Sequence, residues 1–94
     1  MRIYSRIIVL KGEEKMFSEQ IGRELKSIRA RNDWTLDKAQ EITGIHKSTL
    51  NYYENNPDVI QLGRLFKILE KYGVDNDIFF QNICEYIHEK SKQT

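Results

Sequence analysis

The sequence predicts an all-α fold of five helices behind a short N-terminal extended segment. Three observations carry that expectation. From Phe17 onward apolar residues recur at helical spacing. Cap residues and glycines punctuate that periodicity where helices should start and stop. Residues 2–10 (RIYSRIIVL) are instead dense in β-branched and aromatic types, as a strand is. The chain accordingly divides into residues 1–16 and a domain over residues 17–94. Two readings of the first part stay open. In one, residues 2–10 are a strand that pairs with its own copy or folds back on the last helix, with Lys11-Gly12-Glu13-Glu14-Lys15 as a polar break. In the other, Met16 is the natural start and residues 1–15 are leader sequence, since Lys11-Gly12-Glu13-Glu14-Lys15 is what a purine-rich ribosome-binding stretch would encode ahead of an ATG.

The first helix is expected from Ser18, an acceptable N-cap, to Arg31, with Ile21, Leu25 and Ile28 on one face. Asn32-Asp33 ends it. Thr35 caps a second helix that runs to Thr43 and stops at Gly44, burying Leu36, Ala39 and either Ile42 or Thr43. The third spans Lys47 to Glu54, with Leu50 and Tyr53 inward, and Asn55-Asn56-Pro57-Asp58 is a turn signal. A fourth runs from Leu62 to Tyr72, burying Leu65, Phe66, Ile68 and Leu69 and stopping at Gly73. The fifth follows the cap Asp75 and carries Ile78, Phe79, Phe80, Ile83 and Ile87.

Composition narrows the function classes. Ninety-four residues suit one small domain, and 39% hydrophobic against 31% charged residues marks it as globular rather than disordered. The longest apolar run, Ile7-Ile8-Val9-Leu10, is far short of a membrane span, and Met1-Arg2-Ile3-Tyr4 does not open a signal peptide. Cys84, His46 and His88 are too few for a structural zinc site, so a metal and other cofactors are not expected. The address this implies is cytoplasmic. Twelve Ile against two Ala points to an AT-rich, bacterial or phage genome. A net charge of +1 gives no whole-surface attraction for nucleic acid. It does hide an uneven distribution, with a basic first third and acidic residues in excess over residues 33–56 and 74–94.

Gly44-Ile45-His46 joins two short helices through a tight turn, with Gly44 free to be left-handed and Ile45 able to plug the angle. That is a helix-turn-helix arrangement, which lays its second helix across the DNA major groove. With Leu50 and Tyr53 inward, Lys47, Ser48, Asn51 and Tyr52 fall on the opposite face, all polar or amphipathic.

The residues Ile21 to Arg29, Trp34 to Leu50 without a gap, and Leu62 to Phe80 resemble the Cro/phage-repressor (Xre-type) helix-turn-helix family. The resemblance covers roughly residues 18–81. It implies a lambda-repressor-like fold with Lys47 to Glu54 as recognition helix. Lys47, Ser48, Thr49, Asn51, Tyr52 and Asn55 are then the DNA-binding residues. Asn51 has the chemistry to pair with adenine, and Lys47 to reach guanine or phosphate. The helix N-termini at Leu36 and Lys47 are further candidates for backbone contacts to phosphate. The same resemblance implies a structural ion pair between Arg29 and Glu54. Departures from the pattern are Gln40, where a small residue is usual and where either a wider helix crossing or an edge position is expected, His46 in place of a serine-type cap, Leu36 where many relatives place a phosphate-binding glutamine, and Asn56 in place of a common glycine.

The fifth helix carries more apolar surface than so small a core needs. Phe79, Phe80, Ile83 and Ile87 are therefore candidates for a homodimer interface, unless the N-terminal segment covers them. The Asp37/Glu41 and Glu85/Glu89 pairs lack a partner constellation for catalysis, so an enzyme is not expected. The function expected is a sequence-specific DNA-binding transcriptional regulator: a small dimeric repressor from a phage or other mobile element, bound to double-stranded DNA at a pseudo-palindromic operator. Repression is favoured because so short a chain leaves little room for an activation domain. The alternative is a protein-binding module on the same fold, an antitoxin or anti-repressor partner.

Overall fold

The computed structural model describes residues 13–92. Five α-helices follow one another: α1 (Glu13–Arg31), α2 (Leu36–Thr43), α3 (Lys47–Asn55), α4 (Leu62–Tyr72) and α5 (Asn76–Lys92). A short 3-10 turn, Pro57–Val59, leads from α3 toward α4. The expected strand over residues 2–10 lies outside the described residues. Helix α1 begins ahead of the expected cap at Ser18, so Glu13–Met16 are helical and the extended segment cannot reach Met16. The Glu/Lys run that reads as a polar break is made of good helix formers, and they extend the helix. Met16 and Phe17 then pack against the core.

The other boundaries follow from local chemistry. The N–H of Trp34 reaches back to the Arg29 carbonyl at 2.9 Å while Asp33 adopts φ 56°, a left-handed stop to α1 that aspartate tolerates. Thr35 caps α2 by accepting from the Lys38 N–H. Thr43 is buried, yet satisfied at both ends. Its hydroxyl donates to the Ala39 carbonyl at 2.8 Å and accepts from the Ile45 N–H at 3.1 Å. With Gly44 at φ 77°, that pair of bonds sets the sharp turn into α3. Asp75 caps α5 through the N–H groups of Asp77 and Ile78.

One core joins all five helices. Leu25 and Ile28 from α1, Ala39 from α2, Leu50 from α3 and Leu65, Ile68, Leu69 and Tyr72 from α4 meet Phe79, Ile83 and Ile87 from α5. The turn residue Ile45 is buried among them. Leu36, Ile42 and Tyr53 are only half-buried. One expected core residue is outside, Phe66 at 37% exposed, and Ile78 on α5 is 57% exposed. The buried stripe of α4 is Leu65, Ile68, Leu69 and Tyr72, and that of α5 is Phe79, Ile83, Cys84 and Ile87. Phe66 and Ile78 each stand one residue, about 100°, off those stripes.

Helix α5 also corrects the dimer assignment. Phe79, Ile83 and Ile87 retain 1, 1 and 4% of their surface, so those side chains have nothing left to offer a second copy. Helix α1 packs along α5 and supplies the cover expected of the N-terminal segment. Phe80 is partly buried, its ring stacked on Phe17 and met edge-on by Phe66.

Gly22 shows how closely α1 and α3 approach. A Cβ there would collide with the Glu54 carbonyl oxygen and touch the Pro57 ring at 3.2 Å. The obstacle is largely backbone, so it cannot rotate away. Gly22→Ala should cost about 2 kcal/mol, roughly 10 °C in melting temperature, despite alanine's better helix propensity. Gly63→Ala, at a site with open space around it, should be neutral or slightly stabilising in the same thermal melt.

Candidate nucleic-acid interface

Helix α3 is held at both ends by α1 and α2, and the exposed side between those anchors is the candidate site. Leu50 is its buried residue, and Lys47, Ser48, Asn51, Tyr52 and Asn55 are exposed. Tyr52 presents half of its surface, 52%. Thr49 is half-buried, between the outward face and the core, and its N–H bonds to the His46 carbonyl. Asn55 is outward, but its amide turns back to the Asn51 carbonyl at 2.8 Å, with the Asn51 side-chain oxygen at 3.4 Å. A contact from that amide to phosphate would have to replace this bond.

The C-terminal end of α3 is tied to α1 by a two-pronged ion pair. Arg29 Nε donates to Glu54 Oε2 at 2.6 Å, and Nη2 donates to Oε1 at 2.9 Å. The third guanidinium nitrogen, Nη1, donates to the Trp34 carbonyl at 3.1 Å. Side-chain exposures of 14 and 4% mark this as a largely buried pair, so loss of one partner costs about 3–5 kcal/mol. Hydrogen bonding to Glu54 holds the guanidinium above even its ordinary range, against the opposing effect of burial. The arginine thus fixes the start of α2 as well as the end of α3. By contrast Arg31 makes only a long surface pair with Glu24, and Arg23 and Lys26 are exposed.

The N-terminal end of α3 is built by Gln40 and His46, two of the departures from the family pattern. Gln40 takes the edge position, and its Oε1 accepts from the Lys47 N–H at 2.8 Å. His46 caps through Nδ1, which accepts from the Ser48 N–H at 3.1 Å. The first-turn N–H groups of α3 are therefore satisfied within the protein, and the expected backbone contact to phosphate at Lys47 is already taken. The Lys47 amine is also engaged, 2.8 Å from Asp37 Oδ1. Both groups are at least half exposed, so this surface pair is weak and exchangeable.

Several of these residues escape sequence reasoning. Gln40 and His46 look like defects until their side chains are seen satisfying α3. Asp37 looks like a solvated carboxylate. Gly22 had an available signal, a glycine inside a helical pattern.

A helix-turn-helix family model matches residues 25–79, more than half of the chain, and the protein belongs to that family. The resemblance to the Cro/phage-repressor type rests on the same segments. The antitoxin HipB of Escherichia coli O6:H1 (strain CFT073) is 36% identical over 58 residues, which cover 61% of this chain and 62% of that protein. The antitoxin HipB of Escherichia coli K12 is also 36% identical over 58 residues, covering 61% of this chain and 66% of its own. The chain thus spans less than two thirds of these curated relatives. No solved structure matches it significantly. Among the described residues no helix is long and apolar enough to cross a membrane.

Tyr72 closes the back of the Arg29 junction, its ring tilted against Trp34 with centroids 5.4 Å apart. Burial pushes its phenol up to about 12, with the Glu54 carboxylate adding and Arg29 opposing. The unfolded chain loses this proton near pH 10. Tyr72 therefore contributes in full below about pH 10, and its contribution is lost as pH rises from there toward 12. Urea midpoints should fall over that window, and Tyr72→Phe should show a shallower fall.

Proposed function

We propose that this protein is a sequence-specific DNA-binding transcriptional regulator that acts as a dimeric repressor in the cytoplasm. One observation carries the reading: Lys47, Ser48, Asn51 and Tyr52 form the outward face of a helix anchored at both ends. A rigid helix presenting amide, hydroxyl, ammonium and phenol groups suits the edges of bases in a major groove. Lys47 is the one cation on that face, and engaging DNA means exchanging Asp37 for phosphate or guanine. Non-specific affinity should accordingly be modest, with dimerisation supplying much of the binding strength. Lys47→Ala combined with Asn51→Ala should lower affinity for DNA selected from a random pool at least ~100-fold, with unchanged helicity by circular dichroism. Normal retardation of that DNA by the double mutant would remove α3 as the reading helix.

The dimer contact fits α4 and the start of α5 better than the buried positions of α5. Leu62 and Phe66, four residues apart on one side of α4, are 61 and 37% exposed, and Ile78 is 57% exposed. Lys67 and Glu70 lie beside Phe66 around the same hollow as Val74, so a two-fold contact that set Lys67 against the partner's Glu70 would pair opposite charges twice. Leu62→Glu with Ile78→Glu should sediment as a monomer and bind a two-half-site operator at least ~10-fold more weakly than the parent.

A second reading is favoured by the relatives' name, antitoxin. On this reading the protein takes a toxin as partner, and the exposed apolar residues Leu62 and Phe66 of α4 and Ile78 of α5 are candidate contacts for it. Co-purification of one stoichiometric protein encoded by a neighbouring gene, with no salt-sensitive DNA binding, would favour it over the first.

A further inference from the structure

His46 is an unusual cap, because an imidazole nitrogen stands where an oxygen ordinarily accepts. Its Nδ1 receives the Ser48 backbone N–H at 3.1 Å and lies 2.8 Å from Ser48 Oγ. A neutral imidazole has one protonated and one accepting nitrogen. An accepting Nδ1 puts the ring proton on Nε2, so His46 has none to give the serine oxygen from this side. The 2.8 Å contact must then run the other way, with the Ser48 hydroxyl donating to Nδ1. The proton of Ser48 is committed to the cap, and its oxygen keeps only acceptor capacity toward solvent, where the residue is exposed.

We infer that His46 sets the hydrogen-bond polarity of Ser48 on the reading face, making it an acceptor for a base amino group, adenine N6 or cytosine N4. An unconstrained serine hydroxyl rotates and contacts amino and keto edges alike, so it discriminates poorly. Locked by the cap, Ser48 loses its donor role toward guanine O6 or thymine O4, and a base pair that turns a keto oxygen to it meets two acceptors face to face. His46 is thus a positioning residue that acts on DNA through Ser48. Lys47 is held in the same first turn by Gln40 and Asp37, so the pre-setting extends to the residue beside it. This inference rests on the proposed reading of α3 as the recognition helix.

The test uses the full chain. A random DNA pool is selected with the wild type, Ser48→Ala, His46→Ala and His46→Asn. Ser48→Ala should lose preference at one base pair. Removing the exocyclic amino group at that pair, with purine in place of adenine or pyrimidinone in place of cytosine, should weaken the wild type roughly 10-fold and Ser48→Ala not at all. Removing the keto oxygen of the paired base should affect neither. His46→Ala should relax the preference, and His46→Asn, whose oxygen still accepts, should keep it. In the free protein, nitrogen NMR of the imidazole should show the Nε2–H tautomer. An Nδ1–H tautomer, dependence on the keto oxygen, or enriched DNA with no position sensitive to Ser48 each overturns the inference. Failure of the wild type to enrich any sequence overturns the DNA-binding reading beneath it.

Discussion

The Arg29 guanidinium holds three parts of the chain in register at once: α1, on which it sits, the last turn of α3 through Glu54, and the entry to α2 through the Trp34 carbonyl. Its planar fork matches the carboxylate in two parallel bonds and keeps a third donor for the backbone, which an ammonium would not reproduce in that geometry. Gly22, about two turns before Arg29 on α1, lets the helices approach until the Glu54 carbonyl fills the space a side chain would need. Trp34 and Tyr72 cover the junction from the side of α4. The position of α3 relative to the rest of the molecule follows from this junction. An outward face can read a groove only if the helix that carries it does not rock.

The other end of α3 is settled by different chemistry. Buried contacts would be of no use there, because the first turn must meet solvent or DNA. Side chains from α2 and the turn satisfy it instead: Gln40 on one N–H, His46 on the next and Asp37 on the lysine amine. The helix is capped without a buried charge, and Lys47 and Ser48 are already engaged within the protein. The acidic excess over residues 33–56 includes Asp37, so the +1 balance of the chain is an imprecise guide to how DNA would meet this surface.

Much of this was legible in the sequence. The bounds of α2 and α4, the left-handed stop at Gly44 and the caps at Thr35 and Asp75 are local events, decided within a few residues by hydrogen bonding and backbone freedom. The outward set Lys47, Ser48, Asn51 and Tyr52 also follows from helical phase once Leu50 is inside. The start of α1 was not legible, because Glu and Lys serve a solvated turn or a helix equally well. In the structure Phe17 stacks on Phe80 as the helix continues through it. The same contact surface explains why α5 looked richer in apolar residues than a monomer needs.

The number and order of the helices, the turn between α2 and α3 and the residues that α3 turns outward can be read from the chain alone, since periodicity and capping act over short distances. Which apolar residues are used up depends instead on how the helices pack against one another. Phe79, Ile83 and Ile87 are spent against α1 and the shared core, whereas Leu62, Phe66 and Ile78 remain outside. The same packing makes Gln40 and His46 caps rather than flaws. Both outcomes depend on where a distant or neighbouring helix lies, and helical phase along one segment carries no information about that.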